Sequence, residues 1–481
     1  MDSNFLGVII ALLPWVVIGW LYFSGSRTPR HSQTSARQSN TISTRGPVII
    51  PRSQHYVTRK EISDNALKVL YRLKDAGYES YLVGGCVRDL ELGLHPKDFD
   101  VSTAAHPEQV HDLFRNSRLI GRRFKLVHVR FGREIIEVAT FRASHKATND
   151  DGDQHGRKDD GGMILRDNVY GTVEEDALRR DFTVNALYYT INDFSVHDYA
   201  GGWDDLDREL LRMIGDPEAR YREDPVRMLR AVRFAAKLDF AIEANTEAPI
   251  PHLAHLLRDI PAARLFEEVL KLLMSGQGET TFLKLRDYRL FEPLFPATHK
   301  LLHQEDGQQA EQLIIQALRS TDDRIEQGKS VTPAFLYAAM LWYPLLEILE
   351  RLKQQGVPPI PALHQAAMEV HQFQSRASSI PRRYSGQMRD IWELQYRLPR
   401  RNGHRAEQLL EHPNFRAAYD FLLMREASGE DLDDLGQWWT DYQQAHAEQR
   451  ELMVAELGSG PSRKRSNGNS KRRVRRKPQH G

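Results

Sequence analysis

Leu82-Val83-Gly84-Gly85-Cys86-Val87-Arg88-Asp89, followed eight residues later by Asp98-Phe99-Asp100-Val101, decides how this chain is read. In an extended segment successive side chains point to opposite faces. Asp98 and Asp100 then share one face, while Phe99 and Val101 point into a core. Two carboxylates on one face are hard oxygen ligands suited to Mg²⁺ and, through it, to a phosphate-rich ligand. Paired glycines allow a turn that no side chain crowds and bring backbone amides close to phosphate oxygens. Arg88 adds a charge-assisted donor. Taken singly, an Asp-x-Asp is a solvated turn and a Gly-Gly is only a bend. The spacing Gly-Gly-x-x-Arg-Asp-(x)8-Asp-x-Asp, with an apolar strand before each half, is far more specific.

On these residues the chain resembles the class II nucleotidyltransferases of the polymerase β superfamily, the group that holds bacterial poly(A) polymerases and CCA-adding enzymes. Two further blocks carry the likeness in order. Glu174-Glu175-Asp176-Ala177-Leu178-Arg179-Arg180-Asp181-Phe182-Thr183-Val184-Asn185-Ala186-Leu187 is similar to the family's Arg-Arg-Asp-Phe-Thr-x-Asn-Ala motif, and Tyr221-Arg222-Glu223-Asp224-Pro225-Val226-Arg227-Met228-Leu229-Arg230 to its nucleobase-reading helix. The likeness spans about residues 56–439. It implies an α+β protein: a small mixed-sheet nucleotidyltransferase head followed by an all-α neck and body.

The chemistry so implied is attack of an RNA 3′-hydroxyl on the α-phosphate of ATP, with pyrophosphate released and two Mg²⁺ ions held by Asp98 and Asp100. Gly84, Gly85 and Arg88 are expected at the triphosphate, Arg179, Arg180 and Asn185 at phosphate and ribose, and Asp224, Arg227 and Arg230 at the adenine edge. A third carboxylate has two candidates. Asp181 follows the paired arginines and is favoured. Glu137, flanked by Ile136 and Val138 on an extended run, is the second. Asp224-Pro225 is also a strong helix start, with the carboxylate as cap and proline at the first helical position. Arg227, Arg230 and Arg233 recur every three residues, forming a basic ridge beside the apolar ridge Val226, Leu229 and Val232.

Leu119-Ile120-Gly121-Arg122-Arg123-Phe124-Lys125-Leu126-Val127-His128-Val129 favours, by the same resemblance, template-independent polyadenylation over CCA addition to tRNA, the same-class alternative. A noncatalytic RNA-binding adaptor moored to the membrane is the rival from another class, and the intact Asp98/Asp100 pair argues against it.

A length of 481 residues suggests about three domains. The single cysteine, Cys86, excludes an internal disulfide framework and fits a reducing compartment; its expected role is a small filler in the glycine turn. A formal charge of +1 conceals an asymmetry: residues 459–481 hold nine Lys or Arg and no acid, so the preceding chain sums to −8. Such a segment cannot build a core, and its positive charge favours RNA phosphates through counterion release.

Phe5 to Phe23 is a run of 19 residues without a charge. As a helix it would reach about 28 Å, near the hydrocarbon thickness of a bilayer. Arg27, Arg30, Arg37 and Arg45 follow it, so the positive-inside rule keeps the rest cytoplasmic, anchored to the inner face of the cytoplasmic membrane. The competing expectation is a misassigned translation start and an unanchored enzyme.

The expected organisation is an anchor at 1–25, a flexible linker at 26–55, the head at 56–196, a helical neck at 197–295 that carries nucleotide- and RNA-binding helices, a helical RNA-binding body at 296–455, and a disordered basic tail at 456–481. A helix should start near Ser63 and stop at Gly77. Phe124–Phe131 and Glu134–Phe141 should form a hairpin around Gly132-Arg133. Residues 144–162, polar and glycine-rich, are expected as a mobile loop over the site. A monomer is expected, and the resemblance adds the RNA-degradation machinery as a partner.

Overall fold

The computed structural model describes residues 46–121, 125–143, 169–304 and 307–458. The expected anchor at 5–23, the loop at 144–162, residues Arg122 to Phe124 and the basic tail from 459 onward lie outside the described residues. Among the described residues no helix is long and apolar enough to cross a membrane.

Among the described residues eight strands make one mixed sheet: β1 (Val48–Ile50), β2 (Ser80–Val83), β3 (Asp100–Thr103), β4 (Ser117–Ile120), β5 (Leu126–Phe131), β6 (Glu134–Thr140), β7 (Leu187–Tyr189) and β8 (Val196–Asp198). Their spatial order is β1-β8-β7-β2-β3-β6-β5-β4. Every neighbouring pair is antiparallel except β3 and β6. The expected hairpin is β5–β6, closing with Phe131 opposite Glu134. Residues 46–55 depart from the linker expectation. The β-branched run Val48-Ile49-Ile50 pairs antiparallel with β8 and forms the sheet edge, because three such side chains fit a pleated surface even next to a polar segment.

Helix α1 (Asp64–Asp75) begins where expected. The Ser63 hydroxyl accepts from the amides of Asn65 at 3.2 Å and Ala66 at 3.5 Å. Gly77, at φ +82°, ends it. Ala66, Val69, Leu70 and Leu73 face the sheet core. Among the described residues of the head follow the short helices α2 (Gly85–Glu91), α3 (Pro107–Leu113) and α4 (Val173–Leu178). Beyond β8 come α5 (Gly202–Asp207), α6 (Pro217–Glu223) and α7 (Val226–Leu238), and then helices account for nearly all regular structure to residue 458. On α7 the apolar ridge Val226, Leu229 and Val232 is buried, while Arg227, Arg230 and Arg233 are half-buried beside it.

One apolar core runs continuously from Ile50 to Phe421, through sheet, neck and most of the body. The expected boundary at 295 falls inside it, within an aromatic chain in which Phe291 lies 5.1 Å from Phe282 and 5.3 Å from Phe295. A second core, from Leu394 to Tyr442, closes the C-terminal part.

Candidate active site

The glycine turn is built around Gly84, at φ +82° between β2 and α2. A Cβ there would lie 3.5 Å from Arg180 Nη1 and 3.7 Å from the Asn185 carbonyl oxygen. Both are ordinary van der Waals distances, so it is the positive φ, not space, that calls for glycine here. The Gly84 amide donates to the Leu187 carbonyl at 3.3 Å, so it is committed to the sheet. Cys86 is buried, donates to the Val83 carbonyl, and burial pushes its thiol up to about 12, which fits an inert filler.

Asp98 precedes β3 and Asp100 opens it; both are exposed, while Phe99 and Val101 between and after them are buried. The parallel pairing of β3 with β6 sets Glu137 directly opposite Asp100. His128 on β5 reaches Glu137 Oε1 at 3.1 Å. Asp100 keeps an open edge to solvent yet sits in a dense setting: burial, then Glu137, push its carboxyl up to about 6, with Asp98 adding and Arg180 opposing. Crowded anionic oxygens of this kind are what a divalent cation relieves. Among the described residues no three His, Cys, Asp or Glu side chains close a metal shell by themselves. Mg²⁺ characteristically takes one or two carboxylates and completes its octahedron with water and substrate phosphates, which Asp98 and Asp100 satisfy.

The Arg-Arg-Asp block is held by α4. Thr172 and Glu175 form a reciprocal capping box at its start, with the Glu175 amide donating to Thr172 Oγ1 at 3.2 Å and the Thr172 amide to Glu175 Oε2 at 2.8 Å. Asp176, fully buried, is the hub. Its oxygens accept from Arg179 Nε at 3.0 Å, Arg180 Nη2 at 3.1 Å, the Tyr188 hydroxyl at 2.8 Å and Ser102 at 3.3 Å. Burial pushes the Asp176 carboxyl up, but Arg180, Arg179 and Tyr188 overcome it and hold it at about 2. Arg180 also donates to Tyr188 at 2.8 Å, which fixes its guanidinium beside Gly84. From below, Arg220 Nη2 donates to the Arg180 carbonyl at 2.6 Å. Sequence reasoning missed Asp176 as an organiser. Its signal was an acid three and four residues before two arginines, which on a helix places all three on one side.

Asp181 does not reach the Asp98/Asp100 face as a free carboxylate. Arg230 Nε donates to its Oδ2 at 2.6 Å, while its Oδ1 accepts from the Phe182 amide at 2.8 Å and Asn185 Nδ2 at 3.3 Å. Burial alone would raise it; Arg230 holds it at about 2. Arg88 is likewise internal: fully buried, it donates to Asp89 Oδ1 at 2.8 Å and to Asn185 Oδ1. Lys237 on α7 closes the set on Asp89 Oδ2 at 2.9 Å. The chain Lys237–Asp89–Arg88–Asn185–Asp181–Arg230 therefore ties α7 to the glycine turn at two points.

Asp224 accepts from the Val226 amide at 3.3 Å, as a cap, and from Arg264 Nη2 at 2.8 Å. Arg227 donates to Glu223 at 3.3 Å and to the Arg220 carbonyl at 2.7 Å. Both lie half-buried at the start of α7.

The family model described as "Poly A polymerase head domain" matches residues 80–212, a second described as "Probable RNA and SrmB- binding site of polymerase A" matches 239–302, and "Polymerase A arginine-rich C-terminus" matches 355–479. Poly(A) polymerase I of Salmonella typhimurium is 52% identical over 432 residues, which cover 89% of this chain and 93% of that protein. This chain belongs to the poly(A) polymerase family. The Haemophilus influenzae poly(A) polymerase I is 49% identical over 411 residues, covering 85% of this chain and 90% of that one. A CCA-adding enzyme of Lactobacillus helveticus is 38% identical over only 239 residues, 49% of this chain and 57% of the other. Among solved structures, the Bacillus stearothermophilus CCA-adding enzyme in complex with CTP shares the fold at a TM-score of 0.51, with 25% identity and 82% of each chain covered. Thus the poly(A) polymerase likeness runs nearly end to end, whereas the CCA-adding likeness at sequence level covers about half the chain.

Proposed function

We propose that this protein adds AMP from ATP to RNA 3′ ends without a template. The observation that carries this reading is the 52% identity reaching across 93% of a poly(A) polymerase I; a match of residues 355–479 to the arginine-rich C-terminal family model supports it. In the reaction the RNA 3′-oxygen bonds to the α-phosphorus, the bond to the bridging oxygen breaks, and pyrophosphate leaves with the electron pair. Asp98 and Asp100, with Glu137 opposite Asp100, are the residues we assign to Mg²⁺. When bound there, two Mg²⁺ ions would supply charge neutralisation at the triphosphate and activation of the attacking oxygen.

The protein's own part is positioning. Arg180, pinned by Asp176 and Tyr188, presents a fixed cation beside the glycine turn, where a triphosphate oxygen is served without reorganisation. Arg179 stands beside it on the same carboxylate. Asp224 and Arg227, an acceptor and a donor together at the start of α7, suit the amino group and ring nitrogen of adenine. Arg230, Asp181, Asn185 and Arg88 keep α7 in register with the turn rather than touching substrate.

Purified protein incubated with an RNA lacking any tRNA fold, and with each nucleoside triphosphate separately, tests the reading. A long tract of A from ATP alone is expected; addition of only C, C and A to truncated tRNA would establish the CCA-adding alternative instead.

A further inference from the structure

The sheet has a second face. Along β7 successive side chains alternate, so Tyr188 joins Arg180 and Asp176 on the catalytic side while Tyr189 points the other way. On that far side, between the segment after β1, the start of α1 and the turn after β7, lies a cavity of about 680 Å³ lined by Arg52, Thr58, Arg59, Lys60, Asp64, Tyr189 and Phe194. Its size falls in the range of small-ligand and nucleotide sites.

Three cations meet one carboxylate in this lining. Arg52 donates to the His55 carbonyl at 3.0 Å and Arg59 to the Tyr71 hydroxyl at 3.2 Å. Neither these two nor Lys60 has a carboxylate within ion-pair distance among the described residues, and all three are exposed. Asp64 occupies the first turn of α1. Tyr189 buries its ring in the core, and no hydrogen bond among the described residues engages its hydroxyl at the cavity lining. An unengaged hydroxyl that opens on a cationic cavity is available as a donor to an acceptor there. Burial pushes that hydroxyl up, while Arg59 and Arg52 act on it in the opposite direction, which puts both charges near it. Phe194 supplies an aromatic wall, half-buried, with the Arg59 guanidinium 4.7 Å from its ring centroid. Cations, a free hydroxyl donor and an aromatic face are the elements that hold single-stranded nucleic acid by phosphate and base together.

We propose that this cavity is a second RNA site, in which Arg52, Arg59, Lys60 and the Tyr189 hydroxyl hold a phosphodiester of the strand upstream of the 3′ end. It lies behind the sheet that carries Asp100, and its N-terminal wall precedes the span matched by the head family model. The proposal rests on RNA being the substrate and on nothing in the catalytic assignment. A strand held at its 3′ end in front of the sheet and again behind it gains avidity as it lengthens, because the second contact is intramolecular.

The test compares full-length wild type with Arg52→Gln/Arg59→Gln and with Tyr189→Phe, which keeps the ring and removes only the hydroxyl. Binding is measured by fluorescence anisotropy across a salt series, with a long oligoadenylate and one too short to leave the catalytic cleft. Extension of the short primer is followed alongside. For the double variant, affinity for the long strand should fall about tenfold and its log–log salt slope should flatten by roughly one, as expected for losing one or two single-strand phosphate contacts. Tyr189→Phe should weaken the long strand by a few-fold. Short-strand binding and extension should stay at wild-type level in both variants. Unchanged affinity and slope for the long strand would overturn the proposal. So would an equal loss for both lengths, or competition of the long strand by free ATP at this cavity alone, which would make it a mononucleotide site. A chain that fails to extend even the short primer as wild type would contradict the polyadenylation reading, not this one.

Discussion

Glu137 stands directly across from Asp100 in the parallel register of β3 and β6, whereas Asp181 is clasped by Arg230, with Nε to Oδ2 at 2.6 Å. Of the two candidates for a third acidic group, only Glu137 faces the Asp pair without a neutralising partner arginine. Glu137→Gln should therefore lower kcat about a hundredfold, on the scale of losing one preorganised charged group, with KM for ATP little changed. Single-turnover extension measures it; a near-wild-type rate would remove Glu137 from the site.

Asp181→Asn should act through structure. It strips Arg230 of its anion and leaves the Lys237–Asp89–Arg88–Asn185 half of the network to hold α7 to the glycine turn by polar contact. Breaking a buried pair costs about 3–5 kcal/mol, and since Arg230 is 35% exposed the expected loss is nearer about 2 kcal/mol. Thermal unfolding of Asp181→Asn, Arg230→Met and the double variant should give strong coupling. Additive losses would show that the pair does not act as a unit.

Much of this was legible from sequence, and what was not has physical causes. Gly84, Asp98 and Asp100 stand in the expected turn and strand entry because glycine backbone freedom and strand alternation are local properties. The basic ridge on α7 follows equally from helical spacing. What the sequence could not weigh is which charges neutralise each other. Arg88 and Arg230 both look like ligand-binding cations in a linear motif. In the fold they are consumed by Asp89, Asn185 and Asp181, partners up to 97 residues away. Val48-Ile49-Ile50 was hidden for a similar reason, since its partner β8 lies far along the chain.

Acid should destabilise the protein in two stages. Burial lowers His55 and His197 from their ordinary value of 6.5, so the folded state keeps them neutral while the unfolded chain takes up protons. Their contribution is complete above pH 6.5 and lost as pH falls below it. Asp176 and Asp181, held at about 2 against an ordinary 3.8, add a second decline between those values as the unfolded carboxylates protonate first. Unfolding midpoints across pH check both. His299 and His371, lowered by burial too, share the first stage, and Asp100, raised to about 6, opposes it. His55→Gln/His197→Gln should therefore shrink the decline between pH 7 and 5 relative to wild type and leave the second stage unchanged, and identical profiles in wild type and variant would refute it.

The central claim is that Asp98 and Asp100 together carry Mg²⁺-dependent AMP transfer to RNA. Extension of a generic RNA at saturating ATP and Mg²⁺, by wild type, Asp98→Asn and Asp100→Asn, tests it most directly. Wild type should build a poly(A) tract, and each variant should lose extension altogether while still binding RNA, since either change removes one oxygen ligand and one negative charge. Extension at near-wild-type rates by either variant would contradict the account.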